Sequence, residues 1–160
     1  MPGTREVRIN TTAMEEKKIK KVFLQGPVPV SFIAESISKH SSKLDIGAHS
    51  IFLGQVRADQ INGSMVRSID YTAYEEMAEG MFHEIREAAF AKFPLTCMHI
   101  YHSLGEVKVG EISLFVFTSS AHRKAAIDAC TEIVERIKAE VPVWGREILV
   151  DESYIWKENN

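Results

Sequence analysis

Cysteine is scarce: Cys97 and Cys130 are the only two among 160 residues. Their spacing fits no metal or redox motif, and Cys130 falls on an apolar helix face, so both read as packing thiols. No apolar run approaches the ~20 residues that a helix needs to cross a bilayer. The opening residues, MPGTREVRINTT, lack the apolar core of a signal peptide. The cytoplasm is therefore the expected location, with no membrane partner. Positive charge is not in excess either. The formal net charge is −3, so the electrostatic footprint of a nucleic-acid binder is missing, although a local basic pocket is compatible with it. A glycine-rich phosphate loop, a Ser-His-Asp arrangement and a paired-carboxylate motif are also absent. Glu15-Glu16 and Glu75-Glu76 read as solvated charges. The chain has six histidines, but His99 and His102 lie three apart in a strand-like run and point to opposite faces. They cannot easily share an ion, so neither a metal site nor a cofactor is expected.

What is present suffices for one core. Hydrophobic residues make up 45% and charged residues 26% of the chain, ordinary values for a single globular domain. Residues 1–20 are polar and without period and read as a loose tail, leaving 21–160 as the domain. Strands are expected at Lys21–Gln25, Ile46–Val56, Met65–Tyr74, Thr96–Leu104, Ile112–Thr118 and Ile148–Val150. Apolar residues on both faces of Ile46–Val56 suggest a central strand, paired with Met65–Tyr74, and Gly54 within it hints at a bulge or a close backbone approach. Between them, Ala58–Ser64 reads as a mobile loop with an Asn62-Gly63 turn. A short helix follows Ser31. A long one runs from Glu75 to Phe93, with Met77, Met81, Ile85 and Ala88 or Ala89 as its stripe. Gly105–Gly110 is a separate turn-flanked segment. Tyr154 and Trp156 are apolar anchors in a polar tail. Strand pairs joined by turns, with helices between, make an α+β layered domain with a mostly antiparallel sheet.

The stretch from Thr118 to Glu147 organises the rest. Apolar residues at Ala126, Cys130, Ile133 and Ile137, and at Ile127, Val134 and Val141, recur at helical spacing. Ser119 or Ser120 can cap the start, and Pro142 must end the helix. His122, Arg123 and Lys124 crowd its first turn, where the dipole disfavours positive charge. Free N–H groups beside an arginine make an anion site; the competing reading is an arginine that snorkels out from the helix end. Lys138 borders the stripe and on spacing alone reads as a solvated lysine. Arg57, at a strand-to-loop junction, reads on its own as a surface arginine.

Five runs stand in one order: FLGQVR (Phe52–Arg57), YEEMA (Tyr74–Ala78), GEVKVGE (Gly105–Glu111), SSAHR (Ser119–Arg123) and IKAEVPVWGRE (Ile137–Glu147). Together they resemble the large, catalytic subunit of molybdopterin synthase, over roughly Val22 to Val150. The resemblance implies an α/β-hammerhead-like fold and a homodimer within a heterotetramer. A small ubiquitin-like sulfur-carrier subunit would bind at each end and thread its C-terminal Gly-Gly thiocarboxylate into a pocket. Sulfur would pass to cyclic pyranopterin monophosphate, forming the dithiolene of molybdopterin. Carried over by residue, it assigns Lys138 as catalytic and Gln55, Val56, Arg57, His122, Arg123, Gly145, Arg146 and Glu147 as substrate-binding.

Lys138 stands 15 residues after Arg123, a rise of about 22 Å, so one compact ligand cannot touch both. The site must be a long groove or draw on a second subunit. The sequence departs from the family at Gly145, where a lysine usually follows the tryptophan, and more mildly at Gln55. Arg146, Lys157 or Lys124 could supply the missing charge. The alternative reading is a non-catalytic module of the same fold that docks a ubiquitin-like tail or a phosphate ligand.

Overall fold

The computed structural model describes residues 20–159; the expected loose tail lies outside them except for Lys20. Eight strands form one sheet: β1 (Phe23–Gln25), β2 (Ala48–Gln55), β3 (Gln60–Ile61), β4 (Ser64–Ala73), β5 (Leu95–Lys108), β6 (Ile112–Ser120), β7 (Val143–Leu149) and β8 (Tyr154–Trp156). The main path runs β2-β6-β5-β4-β7-β8, with β1 on β5 and β3 on β4. Only the β1–β5 pair is parallel. Among the described residues three helices, α1 (Val30–Lys39), α2 (Glu75–Lys92) and α3 (Arg123–Glu140), pack on the sheet to give an α+β domain.

Alternation along β5 and β6 divides the core in two. Met98, Ile100, Leu114 and Val116 face α2 and α3, meeting Phe82, Ile85, Ile133 and Ile137. Phe115 and Phe117 face the other way, with Val28, Ile33 of α1 and Tyr101. Helices therefore cover both faces of the sheet, which explains the near-continuous apolar run of β6: it has no wet side.

Several expectations shift. Among the described residues β2 is an edge strand, paired with β6 alone, and not the central partner of β4. Ile51 and Leu53 consequently remain 37% and 42% exposed. The register shift between Gly54 and Gln55 bears out the expected bulge; a Cβ on Gly54 would lie 3.2 Å from that of Leu114. The 58–64 segment contains β3, turned onto β4 through Asn62 and Gly63, whose φ values are 51° and 79°. This is the Asn-Gly hairpin signal at work. Thr96–Leu104 and the following segment are one continuous strand, β5, which passes through Gly105 at φ 81°. Its first part pairs with β6 and its end with β4.

On α2 the buried residues are Ala78, Phe82, Ile85 and Ala89, while Met77 is exposed. The face is rotated by one residue from the methionine stripe, because alanine at 78 and 89 allows a closer helix approach. α3 starts at Arg123, with Ser119 and Ser120 still in β6. Ser120 Oγ nonetheless accepts a hydrogen bond from the Ala126 N–H at 3.1 Å. The tryptophan segment after Pro142 is strand β7, and the aromatic tail returns along it as β8.

Candidate active site

Pro142 cannot continue α3, so the chain turns at Val141 directly into β7. β7 lies along β4, with Gly145 opposite Tyr71. β8 lies along the other side of β7, and the Lys157 N–H donates to the Gly145 carbonyl at 2.8 Å. The end of α3, the middle of β7 and the end of β8 thus converge on one pocket. Tyr71, His102, Lys138, Val141, Gly145 and Lys157 are among its lining.

The pocket holds two lysines and apolar walls. Lys138 is open to solvent as a residue, yet its ammonium end is crowded by protein atoms. That desolvation, followed by the charge of Lys157, lowers its pKa. Both effects disfavour the cation, so an incoming anion restores what burial removes. Tyr71 is buried, and desolvation raises its pKa, so it stays a neutral phenol. Its hydroxyl donates to Ser113 Oγ at 3.2 Å, and Ser113 donates to the Gly54 carbonyl at 3.4 Å. The pocket is thereby linked to the end of β2.

His102 is 3% exposed. Desolvation holds its pKa at about 4, with the charge of Lys138 adding to the drop. Its Nδ1–H donates to the Ser103 carbonyl at 2.8 Å. In the window from 6.5 down to about 4 the unfolded chain binds the proton and the folded chain does not. Stability is therefore complete above pH 6.5 and falls as pH drops toward 4, by on the order of 3 kcal/mol from this residue. Thermal melts across that range are expected to show the loss, and His102→Phe is expected to flatten the slope.

The remaining candidates are placed unevenly. Gly145 lines the pocket. Glu147, two residues on and on the same strand face, is 7% exposed, and its charge contributes to the raised pKa of Tyr71. Arg146 alternates to the opposite face. It pairs with Asp70 at 3.0 Å and lies over the Tyr154 ring at 4.7 Å. Val56 is 2% exposed and packs with Ile69, Tyr71 and Val107, so it supports the pocket from the core and offers a ligand no side chain. Gln55 and Arg57 are exposed at the end of β2, with Arg57 paired to Asp59 at 3.3 Å. His122 and Arg123 are exposed at the opposite end of α3, beside the start of β2. The structure gathers Lys138 and Gly145 in one pocket, sets the Gln55–Arg57 segment near it through Tyr71 and Ser113, and leaves His122 and Arg123 remote. Tyr71 and His102 were missed as pocket residues. Tyr71 carries no motif, and His102 drew notice only as a possible metal ligand.

The family profile described as MoaE protein matches residues 28–140. This chain belongs to the MoaE protein family. The molybdopterin synthase catalytic subunit of Pyrococcus abyssi is 41% identical over 128 residues, which is 80% of this chain and 84% of that protein. The crystal structure of molybdopterin synthase from Staphylococcus aureus superposes with a TM-score of 0.74 at 30% identity, covering 86% of this chain and 96% of that one. A protein–protein complex of subunits 1 and 2 of molybdopterin-converting factor from Helicobacter pylori also gives 0.74, at 19% identity, covering 87% and 90%; it supports the MoaE fold alone. The matched span stops before β7 and β8, so Gly145 and Lys157 lie beyond it.

Proposed function

We propose that this chain is the catalytic subunit of a molybdopterin synthase, acting in the cytoplasm in molybdenum-cofactor biosynthesis. It transfers sulfur from the C-terminal Gly-Gly thiocarboxylate of a small ubiquitin-like subunit to cyclic pyranopterin monophosphate. The observation that carries this reading is the lysine pair at the α3–β7 junction. A narrow pocket with two ammonium groups and apolar walls suits an extended chain end that terminates in an anion.

The chemistry follows from those groups. Lys138 holds the thiocarboxylate while its sulfur bonds to an oxygen-bearing carbon of the substrate and the C–O bond at that carbon breaks. The oxygen leaves on the phosphate or, once protonated, as water. Water then adds to the acyl carbon, the acyl–sulfur bond breaks, and the tail leaves as a carboxylate while sulfur remains on the substrate. A second tail repeats the step at the neighbouring carbon. The oxyanion formed on water attack is stabilised by the same ammonium. A lysine with a lowered pKa also gives up its proton more readily than an exposed one.

His122 and Arg123, about 22 Å along α3 from Lys138, serve the substrate phosphate on a second copy of the chain. Support comes from the edge of β2 that no described strand pairs, where Ile51 and Leu53, with Ile127 of α3, are exposed. An open apolar edge strand is a surface that proteins cover. The dimer then carries one small subunit at each end. Gln55, Arg57 and Glu147 complete the substrate side, and Arg146 acts through Asp70 by holding β7 on β4.

Reconstitution tests both parts. The native chain, a thiocarboxylated small subunit and cyclic pyranopterin monophosphate are expected to yield dithiolene, and a plain carboxylate tail none. No product with the thiocarboxylated tail would leave a docking module without chemistry. A mixed dimer of one Lys138→Ala and one Arg123→Ala chain, purified through two tags, is expected to regain about half the native rate, since one of its two shared sites is intact. No recovery would place both residues in a single-chain groove.

A further inference from the structure

On the α1 side of the sheet, away from the lysine pocket, three metal-ligating side chains meet. Cys97 and His99 are two apart on β5 and therefore share a face. His40 follows the last turn of α1 and is 7% exposed. One ligand atom from each of the three lies within 4.8 Å of the others. We propose that His40, Cys97 and His99 form a binding site for a transition-metal ion of the zinc class, which ties the end of α1 to β5.

Proton bookkeeping supports it. His40 Nδ1 stands 2.6 Å from the Ser36 carbonyl, which can only accept, so Nδ1 carries the hydrogen. Nε2 is then the ring nitrogen left to face a ligand, the arrangement in which a backbone carbonyl orients a ligating histidine. That Nε2 faces the Nε2 of His99 at 3.1 Å. Two nitrogens bound to one tetrahedral zinc lie about 3.3 Å apart, given bonds of 2.0–2.1 Å. Phe117 fixes the rings: His99 stacks on it at 6.0 Å and 18°, and His40 meets it edge-on at 4.8 Å and 82°. Rings held this way are pre-organised for a ligand.

The donor set selects the metal. Two imidazoles and a thiolate suit zinc-like ions and repel magnesium and calcium, which take oxygen. Lys43 Nζ lies 2.7 Å from Cys97 Sγ. Lys43 is exposed, so its head can withdraw into solvent when an ion takes the sulfur. His49 is bonded through Nδ1 to Ser119 Oγ at 2.7 Å, with its ring 6.2 Å from that of His40; it borders the site without joining it. The fourth position falls to water. The expectation against a metal compared His99 with His102, which do face apart. Only the fold brings His40 to His99.

Cobalt titration of the reduced, chelator-treated full chain tests the site. A thiolate-to-cobalt charge-transfer band is expected to saturate at one equivalent, to be displaced by Zn²⁺ and to withstand Mg²⁺. Cys97→Ser is expected to abolish the band, and His99→Gln to weaken binding at least tenfold. Zn²⁺ is expected to raise the melting temperature of the native chain and not of Cys97→Ser. No band, a band that survives Cys97→Ser, or an equal thermal shift in both chains overturns the site. If Cys97→Ser does not fold, undiminished cobalt affinity in His99→Gln does the same.

Discussion

Lys138→Ala is expected to lower single-turnover dithiolene formation by about 10²–10³-fold, the scale of removing one oxyanion-stabilising group from a desolvated site. The size follows from where the ammonium lies. Desolvation and Lys157 already disfavour its charge, so its interaction with an anion is poorly screened and correspondingly strong. Protein stability is expected to change little. Lys138 is in the last turn of α3 and open to solvent, where its favourable term with the helix dipole is about 0.3–1 kcal/mol. The apolar stripe beneath it, Ile133, Val134 and Ile137, is untouched. Co-elution with the small subunit is expected to persist, because a subunit interface extends well beyond one tail pocket. Lys138→Arg separates two roles. It keeps charge but not a titratable amine, so anchoring alone predicts partial activity and proton transfer predicts none. A native rate in Lys138→Ala would remove the residue from the chemistry.

The element order was legible because each long element carries its own period. The pattern in α3 fixes its buried face at Ala126, Cys130, Ile133 and Ile137, and the unbroken apolar run of β6 announces a strand covered on both sides. Strand pairing was not legible. Ile51 and Leu53 make β2 read as central, yet only topology decides that β6 takes one of its edges and no described strand takes the other. Gly105 reads as a break from sequence, but its positive φ serves as a bend within one strand. The methionines of α2 outscored Ala78 on hydrophobicity, whereas packing rewarded the smaller side chain.

The same division holds for the sites. His122, Arg123 and Lys138 drew notice because they break the pattern of their helix, which is where function is to be sought. His40 meets His99 across 59 residues of chain, and no local period encodes that contact. The departure at Gly145 was legible as a missing lysine. Lys157 was one of three candidate substitutes, and only the pairing of β8 with β7 sets it apart from the other two.

Lys157→Ala is expected to lower turnover by about 10–10²-fold, through the loss of a second charge from a desolvated anion site. Of the three groups that could stand in for a lysine at 145, two are positioned elsewhere. Arg146 is held on the far face by Asp70 and Tyr154. Lys124 sits at the other end of α3, paired with Asp128 at 2.8 Å. Lys157 remains: its Cβ is 3.7 Å from where a Gly145 Cβ would stand, and it lines the pocket with Lys138. β8 thus delivers from the neighbouring strand the charge that β7 omits. The glycine has its own reason. An added Cβ would come within 2.9 Å of Ile69 Cγ2 and 3.3 Å of Tyr71 Cε1, and Ile69 is 1% exposed. Gly145→Lys is therefore expected to destabilise the chain by about 1–3 kcal/mol, the usual cost of overpacking. Added to Lys157→Ala, the same substitution is expected to recover part of the lost rate while lowering the urea midpoint. Recovery of rate shows that charge at this spot, from either strand, is what the reaction needs. A Lys157→Ala chain that turns over at the native rate would show that Lys138 alone supplies the positive charge of the pocket.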